Sequence, residues 1–296
     1  MIKKTIYSIL LFIGAILFAY MLGVYLNNRD LPQPAAELMQ QRLDHSTQWL
    51  VNNEADLLQQ TNPMLWWMLQ EAEKISHDKR IADLLNKYKQ RYPQIQQGAW
   101  GPLFGAPSRS YLGAYSVSGL PYYNQHFIYA LNCAADIAED ILVVEQQNKA
   151  NFCHQASYIY RPACITHQLM GINFLLEKNC NLLADINEVV KSLQGDIKWQ
   201  LTFDIRVVDV YLQRVLMLLI TGAEKDIKPV WIHQLIDHQL DDGGWSNFVE
   251  LLPLPGEKSL GFSPKILSIG NAKSDFHATA QGVLILSSLL KNKITK

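Results

Sequence analysis

Charge is scarce in this sequence. Asp, Glu, Lys and Arg make up 18% of its 296 residues, below the roughly one-quarter usual for soluble domains. The formal net charge is −1, so nothing in it suggests a basic surface for a phosphate backbone, and nucleic acid is not an expected partner. Segments alternating apolar and polar residues are nearly absent, which argues against a sheet protein. The cysteines contain no C-x-x-C pair, which argues against a zinc ribbon. No P-loop, Gly-x-Ser-x-Gly, His-Glu-x-x-His or Gly-x-Gly-x-x-Gly occurs, so nucleotide chemistry and the commonest hydrolase machinery are not indicated.

Apolar residues, by contrast, are 49% of the chain, enough for a substantial core. Thr5–Leu26 is a run of 22 residues without a charge. As a helix it is about 33 Å long, sufficient for a hydrocarbon core of about 30 Å. A cleaved signal peptide would have a shorter apolar region and an Ala-x-Ala-like site. The expectation is an uncleaved anchor over residues 1–26, a linker over 27–34 and a domain over 35–296. Lys3 and Lys4 precede the span and Arg29 alone follows it. The positive-inside bias then puts the N-terminus in the cytoplasm and the domain outside, periplasmic in a bacterium. In that compartment Cys133, Cys153, Cys164 and Cys180 read as one or two disulfides, with three pairings open and buried thiols as the alternative.

From Ala35 onward the apolar spacing is helical, and the fold class expected is all-α. Asn62-Pro63 and His77-Asp78 are helix-start signals. Trp66-Trp67 reads as core. Two long loops are expected, 94–121, with aromatics packed over a surface, and 246–274. His45, His126, His167, Asp209 and His277 recur near the starts of very apolar helices, at intervals of 81, 41, 42 and 68 residues. A period of about 41 is the size of one helical hairpin, so five or six stacked hairpins are expected, in a closed toroid or an open solenoid. The segments 172–176, 207–220 and 283–290 should be inner, and 182–193 and 231–239 outer.

Within Pro229–Phe248, Gln239-Leu-Asp-Asp-Gly243-Gly-Trp245 fits Gln-x-x-x-Gly-x-Trp. It resembles the QW repeat of terpenoid cyclases and, more loosely, the hairpins of protein prenyltransferase β subunits, over roughly residues 205–290. The resemblance implies an α/α toroid in which this turn ends an outer helix. Asp242 and His277 match two zinc ligands of the prenyltransferases, but Gly244 stands where their Cys does. No cofactor is therefore expected, and a zinc-dependent prenyltransferase-like enzyme is a secondary alternative.

In such a toroid the ends of inner helices surround a cavity. The candidate catalytic residues are His277, His167, Asp242, Asp275 and Asp209, and the candidate ligand-binding residues are His126, Gln168, Tyr211, Gln281 and Trp245. Histidines from different repeats would supply proton carriers near neutrality. Asp209 could instead pair with Arg206 within one helix turn. Trp100, Trp245, Tyr111, Tyr115, Tyr122 and Tyr123 could offer stacking surfaces. Two functions follow: a membrane-anchored hydrolase or lyase acting on a glycan, or a non-catalytic scaffold binding a peptide, lipid or envelope partner.

Overall fold

The computed structural model describes residues 2–108, 119–133, 141–153, 161–180 and 185–294. Among them the chain is mostly helical, with twelve α-helices and five short strands near the C-terminus. Local chemistry sets the helix ends. Before α4 (Pro63–Ser76), the Asn62 side chain accepts from the Met64 N–H and Pro63 occupies the first turn, where its missing donor costs nothing. His77 ends α4 at φ 54, and Asp78 at once caps α5 (Lys79–Arg91) by accepting from the Arg80 N–H. Trp66 is fully buried and stacks on Tyr88 at 3.8 Å.

Four further helices share one direction with α4: α6 (Tyr122–Asn132), α8 (Cys164–Glu177), α10 (Asp209–Ile220) and α12 (Phe276–Ile294). Helix α12 packs on α4 and α10, α8 packs on α6 and α10, and the buried turn Gly101–Phe104 touches both α4 and α6. The N-terminal ends of these five line one cavity and their C-terminal ends another. On α10 every side chain from Val210 to Leu218 is buried. Against them lie α2 (Ala36–Asn52), on α12 and α5, and α9 (Ile186–Phe203), on α8 and α10. The short helices α3 (Glu54–Leu57) and α7 (Ile141–Gln146) and the amphipathic α11 (Pro229–Asp237) complete the set. Two disulfides, Cys133–Cys180 and Cys153–Cys164, tie the α8 region to α6 and to the segment before α8. That resolves the choice of pairing, and no described cysteine is free.

Helix α1 (Ile2–Leu26) is long and apolar enough to cross a membrane. Its side chains from Thr5 to Leu22 are exposed, but its C-terminal end is rooted in the body. Tyr20 Oη donates to the Phe203 carbonyl at 3.0 Å. The next residue after the helix, Asn27, is 2% exposed. Its amide donates to the Leu201 carbonyl at 2.6 Å, its side-chain oxygen accepts from Tyr211 Oη at 3.1 Å, and its own carbonyl accepts from Trp231 Nε1 at 3.2 Å. Residues 27–34 thus begin inside the core rather than as a free spacer.

The QW-like turn is a brace among three helices. Gln239 Nε2 donates to the Gly243 carbonyl and to the Arg42 carbonyl of α2. Gly243 adopts φ 101 and lies against the His45 carbonyl, so only a residue without Cβ fits. The Trp245 N–H donates to Thr279 Oγ1 of α12, and its indole N–H donates to the Leu235 carbonyl of α11. The ring packs directly over Gly282 of α12.

The stretch 246–274 is not a plain loop. β1 (Trp245–Ser246) pairs antiparallel with β5 (Ser274–Asp275), clamping its two ends together. Between them β2 (Val249–Leu254), β3 (Lys258–Phe262) and β4 (Leu267–Gly270) form an antiparallel sheet in that order. The all-α expectation is corrected to that extent. These strands are four to six residues long and are broken by Pro253, Gly261 and Gly270, so their alternation does not stand out in the sequence.

Candidate functional site

A cavity of about 470 Å³ opens at the N-terminal ends of α4, α6, α8, α10 and α12. Asp209, in the first turn of α10, and His277, in the first turn of α12, meet there, with His277 Nδ1 2.7 Å from Asp209 Oδ1. One turn further along α12, Gln281 Nε2 donates to the same carboxylate oxygen at 2.9 Å, and its own Oε1 is buried without a protein partner. His167, from the first turn of α8, lies flat on the Tyr123 ring of α6 at 4.1 Å. Gln213 and the methionines Met64, Met68 and Met170 complete the wall.

The electrostatics of the two histidines diverge. Burial opposes charge on all these groups. The adjacent carboxylate of Asp209 overcomes it for His277, raising it above the ordinary histidine value. The His277 cation in turn holds the Asp209 carboxyl below the usual carboxylate value, against its own burial. Asp209 also attracts a proton toward His167, but too weakly to offset burial. Burial, reinforced by the nearby positive His277, pushes it down to about 4. The cavity therefore holds a His277–Asp209 pair in which each partner favours the other's charged form, together with an imidazole that resists protonation, the separation of acid and base strength that proton-transfer sites use. Five helix N-termini add a positive potential that favours an anionic guest.

Of the residues singled out in the sequence, His277, His167, Asp209 and Gln281 come together here. The others have structural duties. His126 is fully buried, its Nε2 2.8 Å from Asn148 Oδ1, and lies against Gly171 rather than in the cavity. Gln168 donates to the carbonyls of Gln147 and Lys149. Tyr211 holds Asn27, and Trp245 is the brace described above. Asp242 accepts from Trp49 Nε1, Ser274 Oγ and the Gly244 N–H, fixing the QW-like turn. Asp275 accepts from the backbone N–H groups of His277 and Ala278 and so caps α12. Arg206 pairs with Asp204, not Asp209, and Arg214 shares that carboxylate. His45 is exposed on α2, and α4 supplies the helix end that completes the cavity instead. Tyr123, one of the candidate stacking surfaces, lines the cavity and stacks on His167 rather than standing open as a free platform. Tyr111 and Tyr115 lie outside the described residues.

Asp242 and His277, the residues matching a prenyltransferase zinc site, are thus bonded to different partners. Cys164, beside His167 in sequence, is tied up in a disulfide. Among the described residues no group of three or more His, Cys, Asp or Glu side chains is placed to hold a metal ion. A larger cavity, about 640 Å³, lies at the opposite ends of the same helices. Its lining contains no histidine, and two of its charged side chains, Lys74 and Glu71, pair at 2.7 Å. The smaller cavity is the one that gathers two histidines with a carboxylate.

Comparison with protein-family models, curated proteins and solved structures finds no match to this chain.

Proposed function

We propose that this protein is a membrane-anchored α/α toroid that performs acid–base chemistry in the His167–His277–Asp209 cavity, as a lyase on an anionic glycan outside the cytoplasm. The toroid reading is supported by five co-directional inner helices, joined laterally through the Gly101–Phe104 turn, with α2, α5 and α9 packed against them. The anchor reading rests on α1. The extracytoplasmic reading rests on two disulfides in one chain, which persist in oxidising compartments.

The observation that carries the chemistry is that His167, held against protonation by burial, shares one cavity with the His277–Asp209 pair. Of the two chemistries, hydrolysis needs two carboxylates flanking the bond, and among the described residues Asp209 is the only carboxylate in the cavity wall. Elimination needs one base and a positive group for the substrate's carboxylate. His167 takes the proton from the carbon bearing that carboxylate. The freed electron pair forms a carbon–carbon double bond as the glycosidic carbon–oxygen bond breaks. The departing oxygen takes a proton from water in the open cavity. His277, whose protonated form Asp209 favours, stabilises the developing negative charge.

The test is incubation of the full chain in detergent with uronate-containing polysaccharides, following the ultraviolet absorbance of the unsaturated product. Signal from the wild type and none from His167→Ala supports the reading. Absence of product across such substrates, with the cavity residues intact, leaves the binding-scaffold alternative in its place.

A further inference from the structure

The small sheet shows its apolar side outward. On β3, Ser259 and Gly261 are buried, and Gly261 lies against Phe248. The alternate residues Leu260 and Phe262 must therefore face away from the body. Register carries that face across the sheet, because Leu252 and Ile269 both pair with Leu260, and Leu267 pairs with Phe262. Leu252, Leu267 and Ile269 are 56%, 51% and 63% exposed. Antiparallel sheets with one wet face ordinarily place polar residues on it, and a contiguous outward apolar patch marks a contact surface.

The position of α1 identifies what the patch contacts. Ile266 and Leu267, at the β3–β4 turn, line one groove together with Phe203 and with Tyr20 of α1. Tyr20 precedes Leu26 by six residues, about 9 Å along the helix axis. If Thr5–Leu26 fills a hydrocarbon core of about 30 Å, Tyr20 lies below the membrane boundary, and the body groups hydrogen-bonded or packed beside it lie near that depth. Trp199 and Phe203, exposed at the end of α9, continue the same surface. Lys258 and Lys265, both exposed at the strand ends, have stems long enough to keep their ammonium groups among headgroups.

We infer that the Leu252–Leu260–Ile269 and Phe262–Leu267 face is a second membrane contact, resting in the acyl–headgroup boundary of the same bilayer that α1 crosses. The inference rests on the reading of α1 as a membrane anchor. It requires the domain to lie against the lipid surface, not to stand away from it.

The full chain in phosphatidylcholine–phosphatidylglycerol vesicles tests this, with single cysteines added at Leu17, Leu252, Ile269 or Asn86 and labelled with an environment-sensitive fluorophore. The native cysteines are paired, so labelling falls on the added thiol. Spin-labelled lipids quench dyes that enter the bilayer. Expected are strong quenching at Leu17→Cys, quenching at Leu252→Cys and Ile269→Cys several-fold above Asn86→Cys, and none above background at Asn86→Cys, which sits on α5 away from α1. Quenching at Leu17→Cys with positions 252 and 269 no higher than 86 would overturn the inference and leave the anchor intact. Loss of quenching at Leu17→Cys as well would remove the anchor reading itself. Cross-linking between the 269 positions of two copies, without lipid quenching, would assign the face to self-association and also overturn it.

Discussion

His277 Nδ1 and Asp209 Oδ1 lie 2.7 Å apart although 68 residues separate them in the chain. Each depends on the other for its charge in a buried place. Asp209→Asn should therefore lower His277 from its raised value and leave it neutral at pH 7, as read by NMR titration of the imidazole. If the cavity is catalytic, turnover should fall about a hundredfold or more. An unshifted His277 titration in that variant would falsify the paired arrangement.

The pH profile of any activity follows from the same groups. His167 becomes able to accept a proton as pH rises through about 4. His277 loses its proton at a pH above the ordinary 6.5. Activity measured across this range should be bell-shaped, with the alkaline limb shifted toward lower pH when Asp209 is replaced by Asn.

Acid should loosen the fold before it protonates most carboxylates. His126 is fully buried and pushed by burial from 6.5 to about 4. Between those values the unfolded chain binds a proton that the folded chain refuses, so stability rises with pH across the window and falls on acidification. The loss from full stability above 6.5 to the lower end is about 3 kcal/mol for this residue. Chemical denaturation at several pH values should show a shallower acid slope in His126→Gln, whatever that variant's stability at pH 7. His277 works in the opposite sense. Its contribution is complete below 6.5 and is lost as pH rises through its raised folded value.

Trp245→Ala should cost about 3–5 kcal/mol by emptying a buried aromatic site. Gly282→Ala should cost about 1–3 kcal/mol, because its methyl would enter the space of the Trp245 ring. Thermal unfolding of both variants checks the brace. A melting temperature unchanged in Trp245→Ala would mean that α2, α11 and α12 hold together without it.

The two disulfides close stretches with sequence separations of 47 and 11. By loop-closure entropy, losing the first should cost about 4 kcal/mol and the second about 3 kcal/mol. Denaturant unfolding of Cys133→Ser/Cys180→Ser and Cys153→Ser/Cys164→Ser proteins would give the two values. Equal, near-zero losses would make both bridges incidental.

Much of this architecture was legible in residues whose signal is local. Asn62-Pro63 and Asp78 announced helix starts because capping chemistry lies within a few positions. The QW-like turn announced itself because Gly243 and Trp245 have few substitutes in that geometry. Recurrence of polar residues at helix starts found Asp209, His167, His277 and Gln281. It could not separate them from His126, because both kinds of histidine begin an apolar helix. Only the rotation of α6 decides that His126 turns inward to Asn148 while Tyr123 faces the cavity. Asp242 and Asp275 likewise look catalytic in a list of carboxylates, but their oxygens are spent on backbone and indole donors brought from elsewhere in the chain. The sheet escaped notice for a different reason. Its small residues face the body and its large ones face away, the reverse of the pattern that identifies a half-buried strand.

Asn27 gives α1 an unusual mechanical character. A helix joined to its domain by a slack tether lets that domain swing and sample a hemisphere of space. Here the residue at the join is gripped by Leu201, Tyr211 and Trp231, so helix and domain turn as one lever. If α1 spans a bilayer, any tilt of it is passed directly to the cavity, which is held at one fixed height, and a ligand would have to come to that height because the join has no slack.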